Sequence, residues 1–134
     1  MTDMSDRHRA DYALLPILER LGPNENALDV PWATFAGDRT SEHGFTVPTD
    51  EATDVYVELQ AYDVGTYGHE ILLNGEPLSG FDVPPAEGWQ YWMDAAPESG
   101  LREGENALRL RRDASTDDSF AVGNVIVHWR EPVE

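Results

Sequence analysis

The sequence of 134 residues contains no cysteine and no lysine. Without cysteine, the chain can form no disulfide bond and offers no thiolate for catalysis or metal binding. Long apolar runs are also missing, because the longest, residues 12–18, is short and interrupted by Pro16. We therefore expect no membrane-spanning segment. The polar N-terminal residues are not followed by the apolar stretch of a signal peptide, which predicts a cytoplasmic protein.

Acidic residues dominate what is present. The chain has 26 Asp and Glu but only nine basic residues, all arginine, and its formal net charge is −17. Such a composition is typical of halophilic archaea, whose cytoplasm is rich in salt. The self-repulsion of these charges falls from about 10 kcal/mol at 0.15 M salt to about 5 kcal/mol at 1 M, because the Debye length shortens. We therefore expect the folded state to require high salt.

The charge also argues against nucleic acids and anionic membranes as partners. Proteins that bind nucleic acid need a basic stripe that displaces counterions from the phosphates, and anionic membranes attract basic segments in the same way. In the sequence, Arg109, Arg111 and Arg112 form the only basic cluster, and acids follow it at once. We interpret this cluster as a solvated strand edge balanced by neighbouring carboxylates.

The length suits one domain with one hydrophobic core. We predict a flexible N-terminal segment over residues 1–11 and a single β-sandwich domain over residues 12–134. Nine prolines and eleven glycines divide the chain into short segments, which is typical of an all-β protein. The first predicted strand, residues 12–18, contains Pro16 and is therefore expected at a sheet edge. Residues 19–43 are predicted to form a long connection with one short element around residues 32–35.

Alternation of apolar and polar residues predicts the later strands. It is clearest over residues 55–62, where Val55, Val57, Leu59 and Ala61 share one face. Asn74-Gly75 predicts a two-residue hairpin turn. A β-bulge at Gly123-Asn124 would place five apolar residues of the last strand on one face: Phe120, Val122, Val125, Val127 and Trp129. Further strands are predicted at residues 45–47, 70–73, 76–78, 89–94 and 108–111, making seven to nine in an antiparallel β-sandwich or jelly roll.

Two stretches resemble known domains. An apolar strand with Asn-Gly-Glu (residues 71–78) precedes a Leu-x-x-Gly-x-Asn-x-Leu pattern (residues 101–108). In this pattern Gly104 permits a tight turn and Asn106 can hydrogen-bond the turn backbone. This order resembles galactose-binding-like jelly rolls, which occur as carbohydrate-binding modules and as accessory domains of glycosidases. The resemblance covers residues 55–130 and implies that fold.

The whole chain also resembles a family of small, uncharacterised haloarchaeal proteins. The likeness lies in residues 28–32, 60–65, 88–94 and 120–124. The resemblance implies the salt-rich environment of a haloarchaeal protein and no particular activity.

Aromatic residues are the candidates for ligand binding. In a strand, Trp89 and Tyr91 share one face while Trp92 takes the other. Flat rings bind the apolar face of a sugar, so this segment is either a sugar-binding platform or a strand packed on both faces. A glycine-rich loop, residues 62–69, carries Tyr62, Tyr67 and His69 and is predicted to contribute them to the rim of the same site, or else to be an exposed hairpin without a ligand.

Evidence for metals and catalysis is weak. Asp113, Asp117 and Asp118 provide oxygen ligands for a structural Ca²⁺, which the jelly-roll resemblance also implies, but their spacing does not match a calcium loop. No other cofactor is predicted. The four histidines (His8, His43, His69 and His128) are scattered, with His128 expected on the outer face of the last strand, and no nucleophile or phosphate-loop motif occurs.

These observations favour a non-catalytic binding domain for a carbohydrate or a similar polar ligand. The alternative is an interaction module that binds another protein or itself through the same aromatic surface or an open sheet edge. An enzyme with an unrecognised site is a third, weaker hypothesis.

Overall fold

Two β-sheets stack face to face in the computed structural model, which describes residues 7–96 and 100–133, with residues 79–82 described by their backbone alone. Within these residues the chain forms nine strands. They are β1 (His8–Leu21), β2 (Thr34–Gly37), β3 (His43–Val47), β4 (Thr53–Val64), β5 (Glu70–Leu73), β6 (Glu76–Asp82), β7 (Ala86–Ala95), β8 (Gly104–Arg111) and β9 (Phe120–Pro132).

The five-stranded sheet has the order β2-β1-β9-β4-β7, and the four-stranded sheet has the order β3-β8-β5-β6. Neighbouring strands are antiparallel except β1 and β2, which run parallel over a short register. This arrangement confirms the predicted antiparallel β-sandwich. Among the described residues, the chain contains no helix of the length and apolar character needed to cross a membrane.

The core lies between the two sheets and follows the alternation in the sequence. The four apolar residues of β4 that were predicted to share a face are at most 2% exposed. In β9, the register against β4 passes from Leu59–Val125 to Ala61–Val122, so β9 carries one extra residue. This β-bulge brings Phe120 and Trp129 to the same buried face, as predicted.

The predicted turns also form. Asn74 and Gly75 both have positive φ, 53° and 86°, and Leu73 pairs with Glu76 across the turn. Gly104 has a φ of 92°, a conformation that favours glycine. The buried Asn106 side chain donates to the carbonyls of Arg102 and Gly104 and accepts from the Arg102 N–H, so it holds the turn that precedes β8.

The first strand is longer than the sequence predicted. It begins at His8, so residues 8–11 belong to the sheet, whereas residues 1–6 of the predicted flexible segment lie outside the described residues. Arg9 at this end donates two hydrogen bonds to the buried carboxylate of Glu131 on β9. The strand continues past Pro16 because residues 8–16 pair with β9 alone among the described strands, which leaves the other side of this part of β1 open.

Candidate functional site

A cluster of four aromatic rings lies on the outer face of the five-stranded sheet. We call Trp32, Tyr62, Trp89 and Tyr91 the aromatic platform. Trp32 stacks on Trp89 with ring centroids 5.0 Å apart, and Tyr62 meets Trp89 edge-on at 5.4 Å. Trp89 and Tyr91 are 55% and 58% exposed. Other rings hold Trp89, and Tyr91 lies two residues further along the same strand. Large rings of this exposure are available to a ligand.

The register of β4 and β7 creates this arrangement. Tyr62 pairs with Trp89 and Gln60 pairs with Tyr91, so the side chains of both strands stand side by side on the same outer face. Gly123 on β9 leaves room for the indole, because a Cβ there would lie 3.2 Å from Trp89. β7 is the end strand of the sheet within the described residues, so the platform lies near a sheet edge.

The loop between β1 and β2 supplies Trp32. Arg20 donates hydrogen bonds to the carbonyls of Ala33 and Glu25 and so ties the loop to β1. Val30, Ala33 and Ala121 form a small buried cluster beneath it, against which Tyr62 packs. Sequence reasoning missed Trp32 as a site residue, because a ring in a connection without periodicity gives no signal of what it faces.

Polar groups surround Tyr91. Glu58, Gln60 and Asn124 line a small cavity of about 60 Å³ beside the ring. The Asn124 N–H donates to Gln60 Oε1 at 3.1 Å. A hydrogen bond between the Tyr91 side chain and Glu58 raises the pKa of the tyrosine above its ordinary value. The platform thus combines apolar ring faces with amide and carboxylate groups.

The other aromatic candidates lie elsewhere. Trp92 points to the opposite face from Trp89, as the alternation predicted, and packs half-buried against the main core. Tyr67 is 61% exposed on the loop between β4 and β5, and no ring contact joins it to the platform in the described part of the chain. His128 lies on the outer face, as expected, and stacks on Tyr56 with centroids 4.3 Å apart.

His69 is not on a rim, in contrast to the prediction. It is 1% exposed, and its ring packs against Phe120 at 4.4 Å. Nδ1 accepts a hydrogen bond from the Asp113 N–H, which leaves Nε2 to donate to Asp118 Oδ2 at 2.7 Å. The imidazole therefore fastens the loop that follows β8 to the loop that follows β4.

Two of the three candidate calcium ligands, Asp113 and Asp118, stabilise the same loops. Asp118 accepts from the N–H groups of Gly65 and Thr66 as well as from His69. The Asp113 carboxylate accepts from the Ser115 hydroxyl and N–H, which hold its pKa below the ordinary value. Throughout residues 7–96 and 100–133, no group of three or more His, Cys, Asp or Glu side chains is placed to hold a metal ion.

Solved structures share this fold. The CBM36-1 domain of a multidomain xylanase from the hindgut metagenome of Trinervitermes trinervoides superposes with a TM-score of 0.60 at 8% identity, covering 87% of this chain and 96% of that domain. Dimeric latent PorU from Porphyromonas gingivalis gives a TM-score of 0.56 at 9% identity, covering 93% of this chain but only 13% of that one. These similarities confirm the predicted jelly-roll fold, and at such identities they show the fold alone.

Sequence comparison adds the family. No curated protein matches the chain. The sequence model of a family of unknown function, DUF7383, matches residues 9–131, which is nearly the whole chain. The chain therefore belongs to the DUF7383 family of unknown function.

Proposed function

We propose that this protein is a non-catalytic carbohydrate-binding domain whose ligand lies across Trp89 and Tyr91. The observation that carries this proposal is the exposure of both rings, more than half in each case, on adjacent outward positions of one edge strand. A ring pair two residues apart along a strand is spaced by roughly 7 Å. Two neighbouring sugar units can stack on such a pair.

The surroundings of the rings support a sugar ligand. Sugars present both apolar C–H faces and hydroxyl groups, so their sites combine rings with hydrogen-bonding side chains. Glu58, Gln60 and Asn124 provide such groups beside Tyr91. Trp32 stacks on Trp89 and Tyr62 meets it edge-on. These contacts reduce the entropy that the indole would lose on binding, and the ligand would use the ring face that Trp32 leaves open.

The fold and the charge extend the proposal. A jelly roll shared with a domain of a xylanase is consistent with a binding role. The net charge of −17 without lysine supports a halophilic, haloarchaeal protein that works in a cytoplasm rich in salt. We add this setting as part of the proposal, and the sugar titrations should therefore be made in concentrated KCl.

Tryptophan fluorescence tests the proposal directly. The protein is titrated in 2 M KCl with neutral xylo-, manno- and gluco-oligosaccharides. Stacking of a sugar on Trp89 should shift its emission. Because Trp89→Phe removes that fluorophore, this variant is measured by calorimetry, where it should show weaker binding. Isothermal titration calorimetry of Tyr91→Ala should show about a fivefold or greater loss of affinity, since a stacked ring contributes roughly 1–3 kcal/mol in comparable stacking contacts.

Tyr12→Ala is the matched control. Tyr12 is 63% exposed on the same outer face but on β1, separated from β7 by β9 and β4. It has the same chemistry and similar exposure, so its removal should leave sugar binding unchanged. An absence of binding to every sugar in the panel, or an equal loss in Tyr12→Ala and Tyr91→Ala, would reject the proposed site.

A specific observation favours protein interaction as the second candidate. Large apolar side chains are exposed at both edges of this outer face, with Tyr12, Leu14 and Leu18 on β1 and Met93 on β7. Apolar surface that extends beyond a sugar site is typical of a protein interface. Light scattering in 2 M KCl distinguishes the two candidates, because self-association would give a dimer mass that Leu14→Glu restores to the monomer.

A further inference from the structure

The outer face of the four-stranded sheet carries four of the nine arginines. Arg109 and Arg111 point outward from β8, where they alternate with the buried Leu108 and Leu110. Arg39 joins them through a backbone bridge to Arg111. Arg102 lies at the turn before β8. All four arginines line one cavity of about 420 Å³.

The charges around this cavity are poorly neutralised by the protein itself. Within the described residues, neither Arg39 nor Arg102 forms an ion pair, and Arg109 only approaches Glu42 at 3.9 Å. Arg111 alone is closely paired, with Glu70 at 2.7 Å. The chain has nearly three acidic residues for every arginine, so unpaired guanidinium groups collected at one place are unexpected on charge alone.

The paired arginines elsewhere show the contrast. Arg9 is 2.9 Å from Glu131, and Arg112 is 2.7 Å from Asp38. Arg112 was grouped with Arg109 and Arg111 in the sequence, but it is buried and donates instead to Asp38 and to the Thr116 carbonyl. The cavity therefore has its own set of cations, distinct from those that stabilise the fold.

The interior of the cavity suits a ligand. Leu72 and Ala107 lie among its lining residues and provide an apolar surface beneath the arginine side chains. Arg109 Nε is buried and has no hydrogen-bond partner in the described part of the chain. The terminal N–H groups of Arg109 are held only loosely, since Nη1 lies 3.9 Å from Glu42 Oε1.

We infer that this cavity binds a small molecule bearing a phosphate, sulfate or carboxylate group. Guanidinium groups match these oxyanions because their planar N–H groups donate two parallel hydrogen bonds. The volume falls within the range of small-molecule sites, and the half-buried Ala107 offers apolar surface to the uncharged body of the ligand. This site is on the opposite sheet from the aromatic platform, so it is independent of the proposed sugar site.

Arginine side-chain NMR tests the inference on the intact protein. The ¹⁵N-labelled chain is kept at the lowest KCl concentration that preserves a dispersed amide spectrum, and chloride is held constant. Inorganic pyrophosphate, sulfate and citrate are then titrated separately while the Nε–Hε signals are recorded. Signals of the four cavity arginines should shift together with one dissociation constant, and the anion that binds most tightly identifies the headgroup.

Matched variants separate a site from general attraction. Arg39→Gln with Arg102→Gln should weaken the tightest anion at least tenfold, because neither guanidinium is paired with a carboxylate in the described structure. Arg102 Nε donates to the Glu105 carbonyl, which leaves its terminal N–H groups for the anion. Arg130→Gln removes one charge from the exposed end of β9 and should change the affinity less than twofold. The inference would be overturned by an equal loss of binding in both variants. It would also be overturned if the cavity signals stayed fixed for all three anions. If the double variant does not fold, the titration of the unmodified protein decides the matter.

Discussion

The two outer faces of the sandwich differ, although their inner faces are alike. Both sheets contribute Val, Leu, Ile and Phe side chains to one core. The outer face of the five-stranded sheet carries rings, with Trp89 and Tyr91 on β7 and Tyr56 on β4. The outer face of the four-stranded sheet carries the arginines of β8 around a cavity. One face suits a neutral ligand and the other an anion.

This difference shows where information about function resides in the fold. Inward residues of a strand are constrained by packing, whereas outward residues alternate with them and are free to vary. In β8 the inward positions are Leu108 and Leu110 and the outward ones are Arg109 and Arg111. In β7, Trp92 packs against the core while Trp89 and Tyr91 remain exposed. Outward positions therefore identify the candidate sites.

The KCl concentration should have the largest effect, and it should change ligand binding differently on the two faces. Raising KCl from 0.1 M to 2 M shortens the Debye length from about 10 Å to under 3 Å, so we expect the free energy of unfolding to rise by up to about 5 kcal/mol. Over the same range, pyrophosphate affinity at the arginine cavity should fall while neutral-sugar binding on the platform stays constant. Thermal melts and calorimetry at several KCl concentrations measure both. A melting temperature that does not rise with KCl would contradict the charge argument.

Asn106→Ala should weaken the arginine side of the molecule. The Asn106 amide satisfies the Arg102 backbone and also accepts from Asn74 Nδ2 at 2.9 Å. Its loss leaves buried polar groups without partners, which we expect to cost about 3 kcal/mol of the unfolding free energy. Urea denaturation measures this, with the exposed Asn26→Ala as control. A loss below 0.5 kcal/mol would show that the turn is held by other contacts.

Glu131→Gln should lower the stability without affecting either candidate binding face, and the size of this loss should depend on pH. Burial raises the pKa of Glu131, but hydrogen bonds from Trp129 and Arg9 lower it more, so it lies below its ordinary value of 4.5. A carboxyl group whose pKa is lowered on folding stabilises the folded state at pH values above its ordinary pKa. This stabilisation is lost as the pH falls through the folded-state pKa.

The expected loss in Glu131→Gln is about 2 kcal/mol at pH 7, the contribution typical of hydrogen bonds to a charged group. It should shrink as the pH falls below the ordinary value of 4.5 and through the lowered folded-state pKa of Glu131. Urea denaturation across this pH range compares the two proteins. Equal losses at pH 7 and pH 3 would mean that the carboxylate charge is not what stabilises this contact. Sugar and anion binding should both be unchanged.

Trp89→Ala should have the smallest effect on stability. The indole is more than half exposed, and an aromatic pair such as Trp32–Trp89 contributes about 1 kcal/mol beyond its burial. We therefore expect a loss of about 1 kcal/mol together with loss of sugar binding. Thermal denaturation measures the first and calorimetry the second. A loss above about 3 kcal/mol, typical of a core ring, would show that Trp89 serves packing rather than binding.

Sequence patterns predicted the layered architecture because they are local. The period of two in β4 assigned alternate residues from Val55 to Ala61 to the core. In β9, a bulge at Gly123-Asn124 explained why the apolar residues shift from even to odd positions. The Asn74-Gly75 turn followed from the φ values that those residues tolerate. The end of the flexible segment was placed too late, since pairing of residues 8–11 with β9 depends on a strand more than a hundred residues away.

Contacts between distant loops could not be predicted from the sequence. His69 was predicted on a rim, but Phe120 and Asp118, about fifty positions later, enclose it. Arg112 was grouped with Arg109 although it turns inward to Asp38. A histidine or an arginine in a loop gives no periodic signal, so only the folded chain shows which partner it meets.

The sequence alone determined that this chain is an acidic, two-layered antiparallel protein with Trp89 and Tyr91 on one strand face, because charge, alternation and turn residues are properties of neighbouring positions. Only the tertiary structure decided that Trp32 braces Trp89 and that Arg39 and Arg102 join Arg109 and Arg111 around one cavity. These groups come from separate loops and strands, and their meeting depends on how the two sheets stack and where each connection crosses them.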